Sequence, residues 1–193
     1  ASGKTQVIEY LKGSGGTSSA LILDNSGRAD QTIVLGFAQA HTAVNATFDG
    51  NVTLQGSNTK NTIQVSSGTD VADYKDEQVL SGVISGGEVL VKDGVGILTL
   101  EGNNANTGGV EINNGTLKVG NSANDADIGT GTLTVNKGKL EVGSGDTISN
   151  QIQGSTANSK KSMIGGDGTL SYTTGDGIVV GSGSGEIDVI SPG

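Results

Sequence analysis

The sequence predicts an all-β solenoid, a β-helix of roughly nine or ten irregular coils. Three observations predict it. Apolar residues alternate with polar ones at a period of two, the strand signature. The alternating segments share a short pattern that recurs along the sequence. Glycine and small polar residues separate them, while large aromatics are scarce.

The alternation is clearest in Ile33-Val34-Leu35-Gly36-Phe37, Val52-Thr53-Leu54, Ile63-Gln64-Val65, Leu98-Thr99-Leu100, Val110-Glu111-Ile112, Leu117-Lys118-Val119, Leu133-Thr134-Val135, Leu140-Glu141-Val142 and Ile187-Asp188-Val189. Successive side chains leave a strand on opposite faces. The two apolar residues of each triplet therefore point one way and the middle residue the other.

The repeated pattern is glycine, any residue, apolar, polar, apolar. It begins at Gly96, Gly115, Gly131 and Gly138, and a weaker copy begins at Gly168. The leucines of the first four copies are Leu98, Leu117, Leu133 and Leu140, an uneven spacing. Coils of roughly 20 residues with two or three strands each would give it. Such coils cannot bury an inner face singly, so stacking makes the core. With strands about 4.8 Å apart, the rod would be on the order of 45 Å long.

With no tryptophan, two phenylalanines and three tyrosines, the interior has to be thin and built from Val, Ile and Leu. The 34 glycines suit the corners, where positive φ and tight turns are needed.

Two stretches break the alternation. Residues 70–78 are polar and are expected to form a loop or a single helical turn. Residues 121–127 form a second excursion at a corner. Residues 1–70 keep strand character with looser repeats, 80–142 carry the clearest repeats, and 143–193 are C-terminal coils. The whole chain, 1–193, is read as one solenoid domain, with a separate N-terminal β-sandwich as the alternative.

A net charge of −9 and a pI near 4.4 disfavour nucleic acid and anionic membrane surfaces as partners. No apolar run approaches the roughly 20 residues of a membrane helix, so direct insertion is not expected. Without cysteine there is no disulfide framework and no thiolate chemistry. The sequence begins at Ala1 rather than Met, as a mature protein cleaved after a small residue would, or a fragment.

From Leu80 to about Leu140 the sequence resembles the autotransporter-associated β-strand repeat of bacterial autotransporter passenger domains. The resemblance rests on Leu80-Ser81-Gly82-Val83-Ile84-Ser85-Gly86-Gly87, on the run from Val89 to Asn104, and on the run from Thr107 to Gly120. Ile97, Ala105-Asn106 and Val110 depart from the family's pattern. Ser191-Pro192-Gly193 is similar to an element that often follows such repeats. The resemblance implies a right-handed parallel β-helix, export through the outer membrane to the cell surface, and an adhesive or structural role without catalysis. The family's translocator barrel is not among these residues, which fits a passenger segment or a stand-alone secreted relative.

Catalytic chemistry finds little support. His41 is the sole histidine and no Gly-x-Ser-x-Gly elbow accompanies it. Paired acids are the better enzyme candidates, because β-helices host polysaccharide-active enzymes. Asp125 and Asp127 are two apart, and Asp70, Asp73 and Asp76 cluster. Both groups lie in turn-rich or charged stretches where acids serve solubility. No catalytic residue is assigned and no cofactor is expected. Asp125 and Asp127 are weak candidates for holding Ca2+. The segment from Gly165 to Leu170 lacks the Asp that a calcium β-roll needs at its sixth position. The glycine-rich stretches after Gly175 and Gly181 lack the Gly-Lys-Ser/Thr of a phosphate loop.

Two partner classes remain. One is a host, matrix or cell-surface ligand bound by an exported adhesin. The other is a second copy of the same protein, in a filament joined end to end through open strand edges. Val7, Ile8, Tyr10 and Leu11 mark one edge, and Ile187, Val189 and Ile190 the other.

Overall fold

The computed structural model describes residues 5–8, 11–12, 20–24, 31–35, 45–56, 60–65, 76–120, 127–154, 161–166, 169–170, 178–179 and 186–190. They hold strands without helices. The strands stack on three faces.

The first face is an eight-stranded sheet: β1 (Thr5–Ile8), β3 (Gln31–Leu35), β6 (Lys60–Val65), β9 (Val89–Asp93), β12 (Val110–Ile112), β15 (Leu133–Val135), β18 (Ile152–Gly154) and β21 (Ile178–Val179). The second face has seven strands: β4 (Asn45–Phe48), β7 (Glu77–Leu80), β10 (Ile97–Leu100), β13 (Thr116–Val119), β16 (Gly138–Val142), β19 (Lys161–Gly166) and β22 (Glu186–Ile190). The third face is broken into short sheets. β2 (Ala20–Asp24), β5 (Asn51–Gln55) and β8 (Ile84–Gly86) form one, β11 (Asn103–Asn104) and β14 (Asp127–Ile128) another, and β17 (Thr147–Ile148) and β20 (Thr169–Leu170) the last.

From β4 onward the backbone visits the second, third and first faces in turn. Each strand pairs in parallel with its counterpart one coil away. This is the right-handed parallel β-helix that the sequence predicts.

Register explains the core. Leu98, Leu117, Leu140 and Ile164 form one inward column on the second face. Leu90, Val110, Leu133 and Ile152 form one on the first. All eight are buried. Each aliphatic side chain buried this way is worth roughly 1.5–3 kcal/mol. The alternation holds in every cited triplet whose side chains are described, with the outer residues inward and buried.

Coil length is less regular than the sequence implies. Thr32 pairs with Thr62, a 30-residue coil, whereas Leu90 pairs with Val110, a 20-residue one. The described stack is therefore eight strands deep rather than nine or ten, and spans roughly 35 Å.

Three local readings change. Leu133 belongs to the first face, while Leu117 pairs with Leu140 on the second, so the copy starting at Gly131 is not a rung of the same column. Glu77 and Gln78, read as part of a loop, open β7; Gln78 is inward, and hydrogen bonds satisfy its amide. Asp127, placed in the second excursion, begins β14, where it pairs with Asn103.

Candidate functional site

The chemistry inside the rod centres on Lys92. On β9 the inward residues are Leu90 and Lys92. Lys92 lies in register between Ile63 and Ile112, inside an aliphatic column. It is fully buried. Its stem fills the volume an isoleucine would occupy, and its Nζ reaches the corner beyond the strand. There it donates to the carbonyls of Asp93 at 2.7 Å, Gly94 at 2.8 Å and Asn114 at 3.1 Å. An ammonium has three protons, and all three find acceptors. Burial pushes the Lys92 pKa from 10.5 down to about 7, while the Asp93 carboxylate acts in the opposite direction.

Gly115 makes this arrangement possible. It adopts φ +68°, and a Cβ there would fall 2.3 Å from the Gly94 carbonyl oxygen and 2.9 Å from the Lys92 Nζ. Asn114 is joined to Lys92 across one coil, so the lysine fastens two successive rungs.

The outward side of β9 is closed by an ion pair. Lys60, opposite Val89, reaches past β9 to Glu111, opposite Val91, at 2.6 Å. Val91 points outward yet is only 2% exposed. Asn136 extends the bridge, donating to Glu111 Oε1 at 2.9 Å and Asn113 Oδ1 at 2.8 Å.

On the second face a shallow groove of about 380 Å³ is lined by Glu77, Glu101, Lys118 and Glu141, with Gly143 and Gly166 at its margin. Thr99 donates to Glu77 Oε1 at 2.6 Å across adjacent rungs. Lys139 pairs with Glu141 at 2.8 Å, so three carboxylates face two ammoniums and the balance is only slightly negative.

The N-terminal end carries an amide clamp. Gln78 accepts the Leu11 N–H at 2.9 Å and donates to the Leu11 carbonyl at 3.0 Å. It also donates to the Ala46 carbonyl at 3.2 Å. Ala46 is the in-register neighbour of Gln78, and its small side chain leaves the glutamine room to extend.

The residues singled out from the sequence are scattered. His41, Asp70, Asp73, Tyr10 and Asp125 lie outside the described residues. Asp76 is buried immediately before β7, and its carbonyl accepts the Ile97 N–H at 2.8 Å. Asp127 is placed by its backbone on β14. Among the described residues no three His, Cys, Asp or Glu side chains converge as a metal site. Val7 and Ile8 lie on β1, the outermost strand of the first face, and Ile187, Val189 and Ile190 lie on β22, the outermost of the second. Sequence reasoning missed Lys92, because Val89-Leu90-Val91-Lys92 permits either phase and a lysine normally faces water. The signal was Leu90, which falls one coil before Val110.

Fold and side-chain arrangement together define a parallel β-helix in which Lys92 and the Lys60–Glu111 pair link coils. The family model of the passenger-associated-transport-repeat matches residues 90–119. The protein thus carries a repeat of the autotransporter passenger type, and Lys92, Asn114 and Gly115 lie within it. Neither a curated protein nor a solved structure matches the sequence.

Proposed function

We propose that this protein is a non-catalytic segment of an exported bacterial passenger, displayed at the cell surface or released outside it, where it acts as a structural or adhesive rod. The observation that carries this reading is the placement of the passenger repeat. Residues 90–119 run from β9 through β13, about one and a half coils of the continuous stack. Polar side chains along that coil are engaged in holding rungs together, as at Lys92 and at Lys60–Glu111. The groove on the second face offers carboxylates, with no aromatic side chain among the described residues that line it. A polar ligand on a cell or matrix surface fits it better than a sugar stacked on an aromatic platform. The test is display of the protein upstream of a translocator barrel, with protease accessibility on intact cells. Binding of the purified protein to cells and matrix components is measured beside it. Retention inside the cell, or display without binding or mechanical contribution, would remove the reading.

A self-assembling filament is the second reading. Its support is that β1 and β22, both paired in parallel with their inner neighbours, are the outermost described strands of their sheets. Contact between opposite ends would be heterologous and would propagate. Electron microscopy of concentrated protein separates the two: fibres support assembly, and monodisperse rods oppose it.

A further inference from the structure

The corner between β12 and β13 holds the sole Asn-Gly dipeptide of the sequence, Asn114-Gly115. Several features of that corner bear on its chemistry. The Gly115 N–H donates to Oδ1 of the preceding asparagine at 3.0 Å. Among the described residues it makes no ladder bond, since the neighbouring rung bond belongs to Thr116 and ends on Gly96. The carbonyl of the same peptide is held from the other side by Lys92 Nζ, which donates to it at 3.1 Å. Both Asn114 and Gly115 are only half-buried, so water reaches them. Glycine leaves no Cβ between its nitrogen and the side chain before it.

Gly115 N is therefore held beside the Asn114 side-chain amide, 3.0 Å from the oxygen carried by the Cγ it would attack. Closing a ring there costs no rung hydrogen bond. Other asparagines of the described coils lack this combination: Asn103, Asn104, Asn113 and Asn136 are followed by Asn, Ala, Asn and Lys.

We propose that Asn114 is a site of self-modification, closing on Gly115 to a succinimide and opening to aspartyl and isoaspartyl products. Solvent hydroxide removes the Gly115 amide proton. The nitrogen adds to Asn114 Cγ, forming the new C–N bond. The bond from Cγ to the original amide nitrogen Nδ2 then breaks, and ammonia leaves with a proton taken from water. Water next opens either imide carbonyl. Opening one way restores the normal backbone with an aspartate; opening the other adds a backbone carbon to the corner. No oxidation or reduction occurs. Both products put a carboxylate on the residue whose carbonyl Lys92 holds, and the isoaspartyl product also lengthens the link between two rungs. The adjacent corner has the same form, with Gly94 N–H donating to Asp93 Oδ1 at 2.8 Å. Its side chain is already an acid and has hydroxide rather than ammonia to expel.

The test uses the protein as it stands. Folded protein and the same protein in urea are held in mildly alkaline buffer, and amide-to-acid conversion is followed by peptide mapping. Isoaspartyl product is measured by enzymatic methylation. The expected result is conversion at Asn114 in the folded protein at a rate equal to or above that in urea, with Asn103, Asn104, Asn113 and Asn136 retained. Asn114→Gln is expected to abolish the ammonia release and amide-to-acid conversion at position 114, leaving only the isoaspartyl background of the Asp-Gly pairs. A folded-state rate below the urea rate would show that the corner protects the amide, and would overturn the proposal.

Discussion

Gln78 grips the peptide of Leu11 with both ends of its side-chain amide, accepting at 2.9 Å and donating at 3.0 Å. The interaction reproduces one bridge of a β-ladder with a side chain. It ties the N-terminal segment to β7, past the Ala46 rung that lies between. Gln78→Leu fills similar volume but leaves the Leu11 and Ala46 carbonyls without this donor. The expected cost is about 1–3 kcal/mol, felt first at the N-terminal coil. Amide exchange at Leu11 and along β4 should quicken, while exchange along β13 and β16 stays unchanged.

Lys92 gives the rod a pH dependence whose sign is fixed. Its folded pKa of about 7 lies below the ordinary 10.5. Below about 7 both folded and unfolded states hold the proton, so this residue contributes no slope. Between the two values the unfolded state holds a proton that the folded state has released, and stability rises with pH. Above 10.5 the slope vanishes again. Denaturation midpoints measured across this window should climb, by an amount on the order of a few kcal/mol. Lys92→Met keeps the stem and removes the titration; the climb should flatten in that variant.

Leu117 lies between Leu98 and Leu140 in the second-face column, all three fully buried. Leu117→Ala opens a cavity bounded by rungs on both sides, so collapse from one side cannot fill it. A loss of about 2–5 kcal/mol is expected. Calorimetry or chemical denaturation checks it. In a stacked rod the damage should spread to the two flanking coils before the rest.

Gly115→Ala meets two obstacles, the φ of +68° and a Cβ placed 2.3 Å from the Gly94 carbonyl. The backbone conformation alone costs about 1–3 kcal/mol, and the collision displaces the corner that Lys92 binds. Lower stability and a Lys92 that titrates closer to its ordinary value are expected together, the latter read by NMR of its side chain.

The Lys60–Glu111 pair spans β9 in the open, with Lys60 46% exposed. Lys60→Ala should cost under about 1 kcal/mol and become less costly still at high salt. Its larger effect is expected to be exposure of Val91, visible as faster amide exchange on β9.

Much of the fold was legible because strand alternation is a local property. Val110-Glu111-Ile112 or Leu140-Glu141-Val142 declares its inward face in three residues, whatever lies above or below. Aromatic scarcity and glycine-rich corners set the thin, stacked interior, and the passenger-type run after Leu80 set the β-helix. Register was beyond its reach. Whether Leu133 stacks on Leu117 or on Val110 depends on how many residues each corner consumes, and corner length carries no periodic signal. The same holds for Val89-Leu90-Val91-Lys92. Both phases offer apolar residues, and the choice was made by Val110 and Ile112 on the next rung, together with three backbone carbonyls able to receive an ammonium. By itself the sequence determined the element type and the face each triplet buries. The tertiary structure decided which rungs meet and which polar residue is drawn inside, because these depend on contacts between residues some twenty or more positions apart.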